Sequence, residues 1–588
     1  MFQKTYILDD SLAPDEMDRI IAADPHYKSC SACLMQVYEP ICDPEFISYR
    51  MQLQREILPN ANIVGMTTLG PVGPETEVPR DPMVTVVYFE ESGFDIHLFD
   101  CHNIDPREAG KRLCEAIAST EHVEGVLLLT ADAMLSPTPF IEELEAQYPD
   151  ISVFGAQAGT AVLGNDQSMV FTSSEICTRG ILAVVFHGEN LHITTDYNLG
   201  WQPIGREMTI TEMGDDGFVK TIDHEIATDV YQKYLDVELD DAFYANVCAF
   251  PLLTPSGNRL IARVPTRFSE DGAMQFPAML AQGSKVTLSY TKPDYLLRNT
   301  LASANAMAQF APQAIMLFAC INRRVYMGNE RADREFSYYR HFCPDLSFAY
   351  GFGEILRTPE GGELLNSTIV AAALREGDVP EGFAAEEYAD PELSSDGTTY
   401  KPLSDRLVTF LEATTAELNA TIDELERLAQ RDQLTGIYNR RHVDEIIEQR
   451  LSKHRRRNDQ GLALLMYDID HFKQVNDTFG HEMGDIVLKE LTRRVQEVVR
   501  DDDVIGRWGG EEFLIIANNA TLEQAEELAE RVRQHVEATP FPHVGKVTIS
   551  IGVTCAKAAD TGSTLFGRVD RALYEAKDSG RNCVKTCF

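Results

Sequence analysis

Short apolar runs bounded by turn formers recur through residues 1–375. VTVVYF, GVLLLT, ILAVVFH and AIMLFAC are each six or seven residues long. Their length and their β-branched and leucine content predict strands buried on both faces. Helical segments lie between them, so this region is expected to be α/β or α+β. The pattern breaks at 376–402: EGDVPEGFAAEEYADPELSSDGTTYKP is acidic, holds Pro and Gly, and has little periodicity, as a linker does. From Leu403 to Gln430 apolar and small residues return at spacings of three and four: Val408, Leu411, Thr415, Leu418, Ile422, Leu425 and Ala429. Such a seam makes an amphipathic helix packed on its own domain or a parallel dimeric coiled coil. The position between two globular parts favours the coiled coil. Beyond Asp432 the pattern is compact. ALLMYD predicts a strand and Glu482–Arg500 an amphipathic helix. VIGRW and EEFLIIA form two strands around the turn Gly509-Gly510; Thr521–Ala538 is a helix, VTISIGVTC a strand and Leu565–Ser579 a helix.

Composition narrows this picture. At 588 residues and 44% hydrophobic the chain is too long for one domain and apolar enough for true cores. The net charge of −40 excludes a general DNA, RNA or membrane-surface binder, which needs a basic face. Residues 432–588 hold 22 Lys and Arg against 26 Asp and Glu, a net of −4, which leaves −36 for the other 431 residues. An anionic ligand is therefore expected in the C-terminal part. No apolar run approaches the roughly 20 residues of a membrane span. MFQKTYILDD lacks the basic-then-apolar order of a signal peptide, so a cytoplasmic chain with mostly reduced cysteines is expected.

The candidate chemistry is clustered. The ALLMY strand ends in Asp468-Ile469-Asp470, whose two carboxylates share a face if the strand persists that far. Glu511 and Glu512 follow the glycine turn directly. Paired acids at a turn are ordinarily solvated surface. If the two strands are neighbours, however, the acids converge, and crowded carboxylates cost stability unless a cation joins them. Hard oxygen ligands suit Mg²⁺, with Mn²⁺ an alternative, and Mg²⁺ binds phosphates. Lys473, Lys577 and Arg581 are cations that could hold a triphosphate. The last two lie four apart, on one face if the helix runs through Gly580.

Five segments, in order, closely resemble the GGDEF diguanylate cyclase family: DQLTGIYNRR (432–441), DIDHFKQVNDTFGHEMGD (468–485), RWGGEEF (507–513), SIGV (550–553) and ALYEAKDSGRN (572–582). Several motifs in order are far more specific than one alone. The resemblance implies a ferredoxin-like α+β domain that condenses two GTP into cyclic di-GMP and two pyrophosphates. It implies metal ligation by Asp468, the Ile469 carbonyl and Glu511, a role for Glu512 near the attacking hydroxyl, and guanine reading by Asn476 and Asp485. Lys473, Lys577 and Arg581 then hold phosphates, and Phe472, Gly509 and Gly510 border the nucleotide. Each domain holds one GTP, so the enzyme works as a homodimer. Arg500 and Asp503 have the RxxD spacing of the family's product-inhibition site; a charged helix end is the plain alternative.

Residues 1–375 resemble the FIST sensory module through IVGMTTLG (63–70), ISVFGAQAGTA (151–161), GWQPIGREMTITEMGDDGFVKTID (200–223), LFACINRR (317–324) and GFGEILRTPEGGELLNST (351–368). In the first of these Gly70 is followed by Pro71, where the family's pattern has Gly-Glu. The resemblance implies a small ligand, such as an amino acid. Trp201, Arg323, Arg324 and Glu354 are groups able to recognise a zwitterion, although Trp201 is as readily a core residue. Cys30 and Cys33, with Cys42 and His26 nearby, could bind metal or form a redox pair; no second CxxC follows, and incidental thiols are the plainer reading. Lys453–Arg457 is a basic run of a kind that commonly faces solvent. The expected architecture is multidomain α/β and α+β. FIST halves occupy 1–235 and 236–375, a linker 376–402, a coiled-coil signalling helix 403–430 and the GGDEF domain 431–588. The expected function is a cyclase regulated through the FIST region. The alternatives are a catalytically silent GGDEF receptor for cyclic di-GMP or GTP, and an acidic docking scaffold.

Overall fold

A computed structural model describes residues 1–7, 14–68, 83–160, 167–215, 217–240, 242–276, 280–358, 361–394, 403–456, 461–500, 502–557 and 559–587. Leu69–Pro71, Ala161, residues 395–402 of the linker, Asp501, and the side chains of Val408, Ile422 and Lys453–Arg457 lie outside the described residues. The chain is a multidomain α/β protein that divides into two compact units, Met1–Thr415 and Ala416–Phe588. None of the described helices is long and apolar enough to cross a membrane.

The strand-like runs of the first unit are the strands Met83–Phe89, Val123–Ala131, Gly180–His187 and Ala314–Cys320. Three sheets surround one core that includes Leu34, Val64, Leu127, Leu182, Met316 and Val370. The strands run without a polar break because both faces are covered. Val126, Leu128 and Ile181, on the other face of the second sheet, pack with Leu113 and Phe140 of the helices Pro106–Ala116 and Thr138–Gln147.

The sheets do not divide at residue 235. Gly353–Thr358 pairs with Ser152–Gln157, and Gly361–Leu365 follows it as the next strand. Conversely Leu191–Asn198 pairs with Ile369–Glu376. Each half thus lends strands to a sheet of the other. A linear pattern of apolar runs carries strand positions but not which edge each strand joins, so this exchange could not be anticipated.

Arg323 lies at the seam of these halves, fully buried. Its guanidinium donates to both carboxylate oxygens of Glu335 and to the carbonyls of Asn198 and Ser367. Trp201, 3% exposed, donates Nε1–H to the same Ser367 carbonyl at 3.0 Å. These contacts brace the fold. Arg324 donates to Asn329 Oδ1 at 2.7 Å and lies over the Tyr350 ring.

In the second unit the six-stranded sheet runs in the order Tyr438–Asn439, Val504–Gly509, Glu512–Asn518, Leu462–Ile469, Ile549–Cys555, Val584–Thr586. The strand Leu462–Ile469 is central and antiparallel to both neighbours. Its Ala463, Leu465 and Tyr467 face the helices His481–Gln496 and Leu522–Ala538; Leu464 and Met466 face Arg440–Arg456 and Gly562–Asp578. Burial on both sides explains the unbroken apolar ALLMY. The helix Leu403–Gln430 spans 28 residues. Its Leu411, Leu418 and Leu425, seven apart, are 48%, 56% and 60% exposed.

The Arg323–Glu335 pair predicts a large mutational cost. Arg323→Ala leaves a buried carboxylate unpaired and is expected to destabilise the N-terminal unit by about 3–5 kcal/mol. Chemical denaturation of the full chain carrying Trp508→Phe, which leaves Trp201 as the one tryptophan, followed by fluorescence with and without Arg323→Ala, checks this.

Candidate active site

The antiparallel pairing sets Asp468 directly across from Glu512, with the glycine turn beside them. Gly510 has φ +52°, a conformation that costs glycine little, and a Cβ on Gly509 or Gly510 would meet nothing within 4 Å. The space over the turn is open. Glu511 leaves that turn and Glu512 opens the next strand; both are half-buried. Asp468 is 5% exposed, and Lys577 Nζ reaches its Oδ2 at 2.9 Å.

Electrostatics follow from this crowding. Burial pushes the Asp468 carboxyl above the usual carboxylate range; the Lys577 bond and charge oppose the shift, Asp470 adds to it, and Arg581 opposes it. Burial also raises Glu511 and Glu512; the Asp468 charge adds to this, and Lys577 opposes it. Two further charges act on Glu512: Asp570 pushes it up and Arg440, stacked over Trp508, pulls it down. Negative charge therefore exceeds its local compensation, which is the electrostatic demand for a hard cation. The donor set fits Mg²⁺ or Mn²⁺: carboxylate oxygens of Asp468 and Glu511 about an open turn, with Ile469 next along the strand.

Asp470 departs from the expected pairing. It accepts from Thr548 Oγ1 at 2.7 Å, Ser550 Oγ at 2.6 Å and the Asn582 N–H at 2.9 Å. The strand ends at Ile469, and Asp470 turns to brace the neighbouring strand and the segment after the last helix. Arg581 needs a second correction. The helix ends at Asp578, and Gly580, Arg581 and Asn582 all have positive φ (+106°, 66° and 43°), so Lys577 and Arg581 do not share a helical face. Both charges nonetheless act on Asp468.

Beyond the strand, His471 at φ 58° starts the helix Phe472–Phe479. Phe472 is buried, and Lys473 is exposed on the first turn. Gly480, at φ +85°, ends this helix, and His481–Gln496 follows. A Cβ on Gly484 would lie 2.0 Å from Asn476 Oδ1, so the glycine lets the Asn476 amide rest on the second helix beside the exposed Asp485. The two expected base readers are thus adjacent, separated by Gly484.

Sequence reasoning missed the clamp on the glycine turn. Arg507 donates from Nε and Nη2 to the Gly510 carbonyl, at 2.9 and 2.8 Å, and from Nη1 to both Asp432 oxygens. Asn439 in turn donates to the Ala429 carbonyl near the end of the long helix. Asp432 and Arg507 both lie inside quoted motifs, but 75 residues apart, beyond the reach of local spacing. Elsewhere, Asp503 accepts from the Asn518 N–H at 3.1 Å and its own N–H donates to the Arg500 carbonyl, while the Arg500 side chain is exposed.

In the first unit Glu354 is fully buried. Its Oε2 accepts from the N–H and Oγ1–H of Thr368, and its Oε1 has no partner among the described residues. Burial pushes its pKa up to about 8 against the Thr368 bonds. Among the described residues Asn322 Oδ1 and Asn366 Oδ1 also lack partners, while their amide nitrogens donate to Ser367 Oγ and the Phe352 carbonyl. Cys30 and Cys42 are half-buried and Cys33 is buried; burial raises the thiols of Cys30 and Cys33. His26 is engaged by Asp24 at 3.0 Å and stacks on Phe2.

Residues 429–583 match the family described as diguanylate cyclase, GGDEF domain; residues 34–225 match the FIST N domain and 227–357 the FIST C domain. The response regulator PleD of Caulobacter vibrioides is 43% identical over 173 residues, covering 28% of this chain and 38% of PleD. The diguanylate cyclase DgcM of Escherichia coli K12 is 40% identical over 162 residues, covering 28% of this chain and 39% of DgcM. The chain therefore spans about two fifths of the length of these relatives. Among solved structures, the coiled coil and GGDEF domain of DgcB from Caulobacter crescentus, in complex with c-di-GMP, aligns at 27% identity with a TM-score of 0.30. That alignment covers 32% of this chain and all of the DgcB chain.

The raised carboxyls predict a pH-dependent metal effect. A carboxyl whose folded pKa is raised favours folding when protonated, and that contribution is lost as pH rises through the folded value. A dication at the cluster offsets the loss. Mg²⁺ is expected to raise the unfolding midpoint of the C-terminal unit at about pH 8 and to have little effect near pH 4. Glu511→Gln is expected to reduce the Mg²⁺ response. Calorimetry with and without Mg²⁺ measures it.

Proposed function

We propose that this chain, which carries FIST N, FIST C and GGDEF domains, condenses two GTP into cyclic di-GMP, and that its N-terminal region tunes the rate by binding a small ligand. The observation that carries the catalytic reading is the pairing of Asp468 with Glu512 beside the open Gly509-Gly510 turn, with Lys577 on Asp468.

Asp468 and Glu511, with the Ile469 carbonyl, would hold Mg²⁺ or Mn²⁺. Bound there, the ion would neutralise phosphate charge and favour ionisation of an attacking hydroxyl. Lys577, Lys473 and Arg581 hold phosphate oxygens, and the bare glycine backbone lets the nucleotide approach. Asn476 and Asp485 read the base: an Asp acceptor pairs with the ring and exocyclic N–H groups of guanine and is left unpaired by adenine. The 3′-hydroxyl of one GTP attacks the α-phosphorus of the other, and the α–β phosphoanhydride bond breaks to release pyrophosphate; the reciprocal step closes the ring. Each domain presents one GTP, so two copies must face each other, and holding them together supplies much of the rate. The exposed Leu411, Leu418 and Leu425 support a coiled-coil homodimer.

The buried oxygens of Glu354, Asn322 and Asn366 that have no partner among the described residues support a ligand role for the FIST region, since buried polar atoms ordinarily have partners. Such a ligand would bring hydrogen-bond donors to the two amide oxygens and an acceptor to the protonated Glu354 carboxyl. It acts on catalysis only through different affinities for productive and unproductive arrangements. Use of GTP as substrate fits the cytoplasm.

Mass spectrometry of the full chain with GTP and Mg²⁺ is expected to show cyclic di-GMP, with at least a ~1000-fold lower rate in Glu511→Ala. Absence of product, with cyclic di-GMP bound in an Arg500-dependent manner, would instead establish a receptor. We also expect feedback inhibition through the exposed Arg500 and the half-buried Asp503. Arg500→Ala should weaken cyclic di-GMP inhibition about tenfold or more and leave the initial rate intact. Progress curves with added product test this.

A further inference from the structure

The end of the strand Gly93–Asp100 gathers three chemically different ligand groups that the cyclase reading does not use. Ligand atoms of Asp100, His102 and Cys177, one from each, lie within 4.8 Å of one another. His102 Nδ1 is 2.6 Å and Cys177 Sγ 3.9 Å from the same Asp100 oxygen. The S–H and the ring N–H both have that oxygen within reach, although the thiol also has the Arg179 carbonyl at 3.2 Å.

The fold builds this convergence. Cys177 belongs to the edge strand of the first sheet, and Asp100 ends the edge strand of the second. Gly180 pairs with Asp100, and a Cβ there would lie 2.5 Å from Cys177 Sγ and 2.6 Å from the Phe99 carbonyl. Glycine is therefore what lets the sulfur reach this strand end. The sulfur lies at the base, its residue only 7% exposed, while Asp100 and His102 are exposed. An ion can enter from solvent. Arg179, the nearby cation, is turned to Asp132. Cys101 is buried and directs its thiol to the Phe99 carbonyl.

We propose that Asp100, His102 and Cys177 form a site for a divalent transition metal ion of the zinc class. Thiolate, imidazole and carboxylate are the ligands, and water takes the fourth place. Bond lengths of about 2.0–2.3 Å put tetrahedral ligands about 3.3–3.8 Å apart, within the span of the separations found. Seating the ion requires a small outward turn of the exposed His102. Binding expels the Cys177 proton and moves the imidazole proton from Nδ1 to Nε2. Thiolate and carboxylate then balance the two positive charges. The ion would clip the edge strands of two sheets together in the N-terminal unit. This inference does not rest on the cyclase reading.

Cobalt(II) titration of the reduced full chain tests it, because a thiolate ligand gives a near-ultraviolet charge-transfer band that an all-oxygen site lacks. The expected result is a band saturating at one equivalent and abolished by Zn²⁺. Cys177→Ser should lose it, and His102→Ala should weaken binding at least ~10-fold. Cys101→Ser and Glu511→Ala should keep it, which separates this site from the carboxylate cluster. Circular dichroism of Cys177→Ser verifies its fold. No band in the wild-type protein, or a band that survives in folded Cys177→Ser, overturns the proposal.

Discussion

Asp468 is the constraint on which the C-terminal unit turns. A nearly buried carboxylate at the end of the central strand is costly unless it is paired. Lys577 at 2.9 Å supplies one partner, from the last helix. The antiparallel register then places Glu512 directly opposite, and Glu511 follows from the turn. Lys577, Arg581 and Arg440 stand against Asp468, Glu511 and Glu512, with Asp470 and Asp570 adding further negative charge. The site is therefore built electrostatically short of positive charge.

Rigidity around the cluster comes from residues that do not face it. Asp470 ties the strand end to Thr548, Ser550 and the Asn582 backbone. Arg507 locks the glycine turn to Asp432, and Asn439 holds the end of the long helix. A turn with bare glycines would otherwise be free to move. These bonds fix where Glu511 emerges, and with the strand pairing of Asn439 to Arg507 they link Ala429 to Gly510.

The N-terminal unit solves a different problem. Its halves exchange strands, so neither sheet system is complete in one half. Polar groups trapped at the junction must then be satisfied internally. Arg323 does so with Glu335 and two carbonyls, and Trp201 shares the Ser367 carbonyl. Glu354, Asn322 and Asn366 each keep one oxygen at this junction without a partner among the described residues.

The sequence by itself determined the apolar strands it named, the helix Leu403–Gln430 and the glycine hairpin, because local periodicity and turn chemistry act over a few residues; the meeting of Asp468 with Glu511 and Glu512 waited on the pairing of two strands. The order of five motifs also identified the domain types. Tertiary structure alone decided the rest. Asp468 and Asp470 look equivalent in DID, yet one faces Lys577 and the other is consumed by hydroxyls from a strand some 80 residues on. Arg581 looked like the next helical turn after Lys577, until Gly580 and its left-handed neighbours ended the helix. Arg323 looked like a ligand reader, and the fold spends its guanidinium on Glu335. The strand exchange between halves, the Arg507 clamp and the meeting of Asp100 with Cys177 all join distant residues. Such contacts depend on which edges pair, and that is set by the packed core rather than by any local pattern.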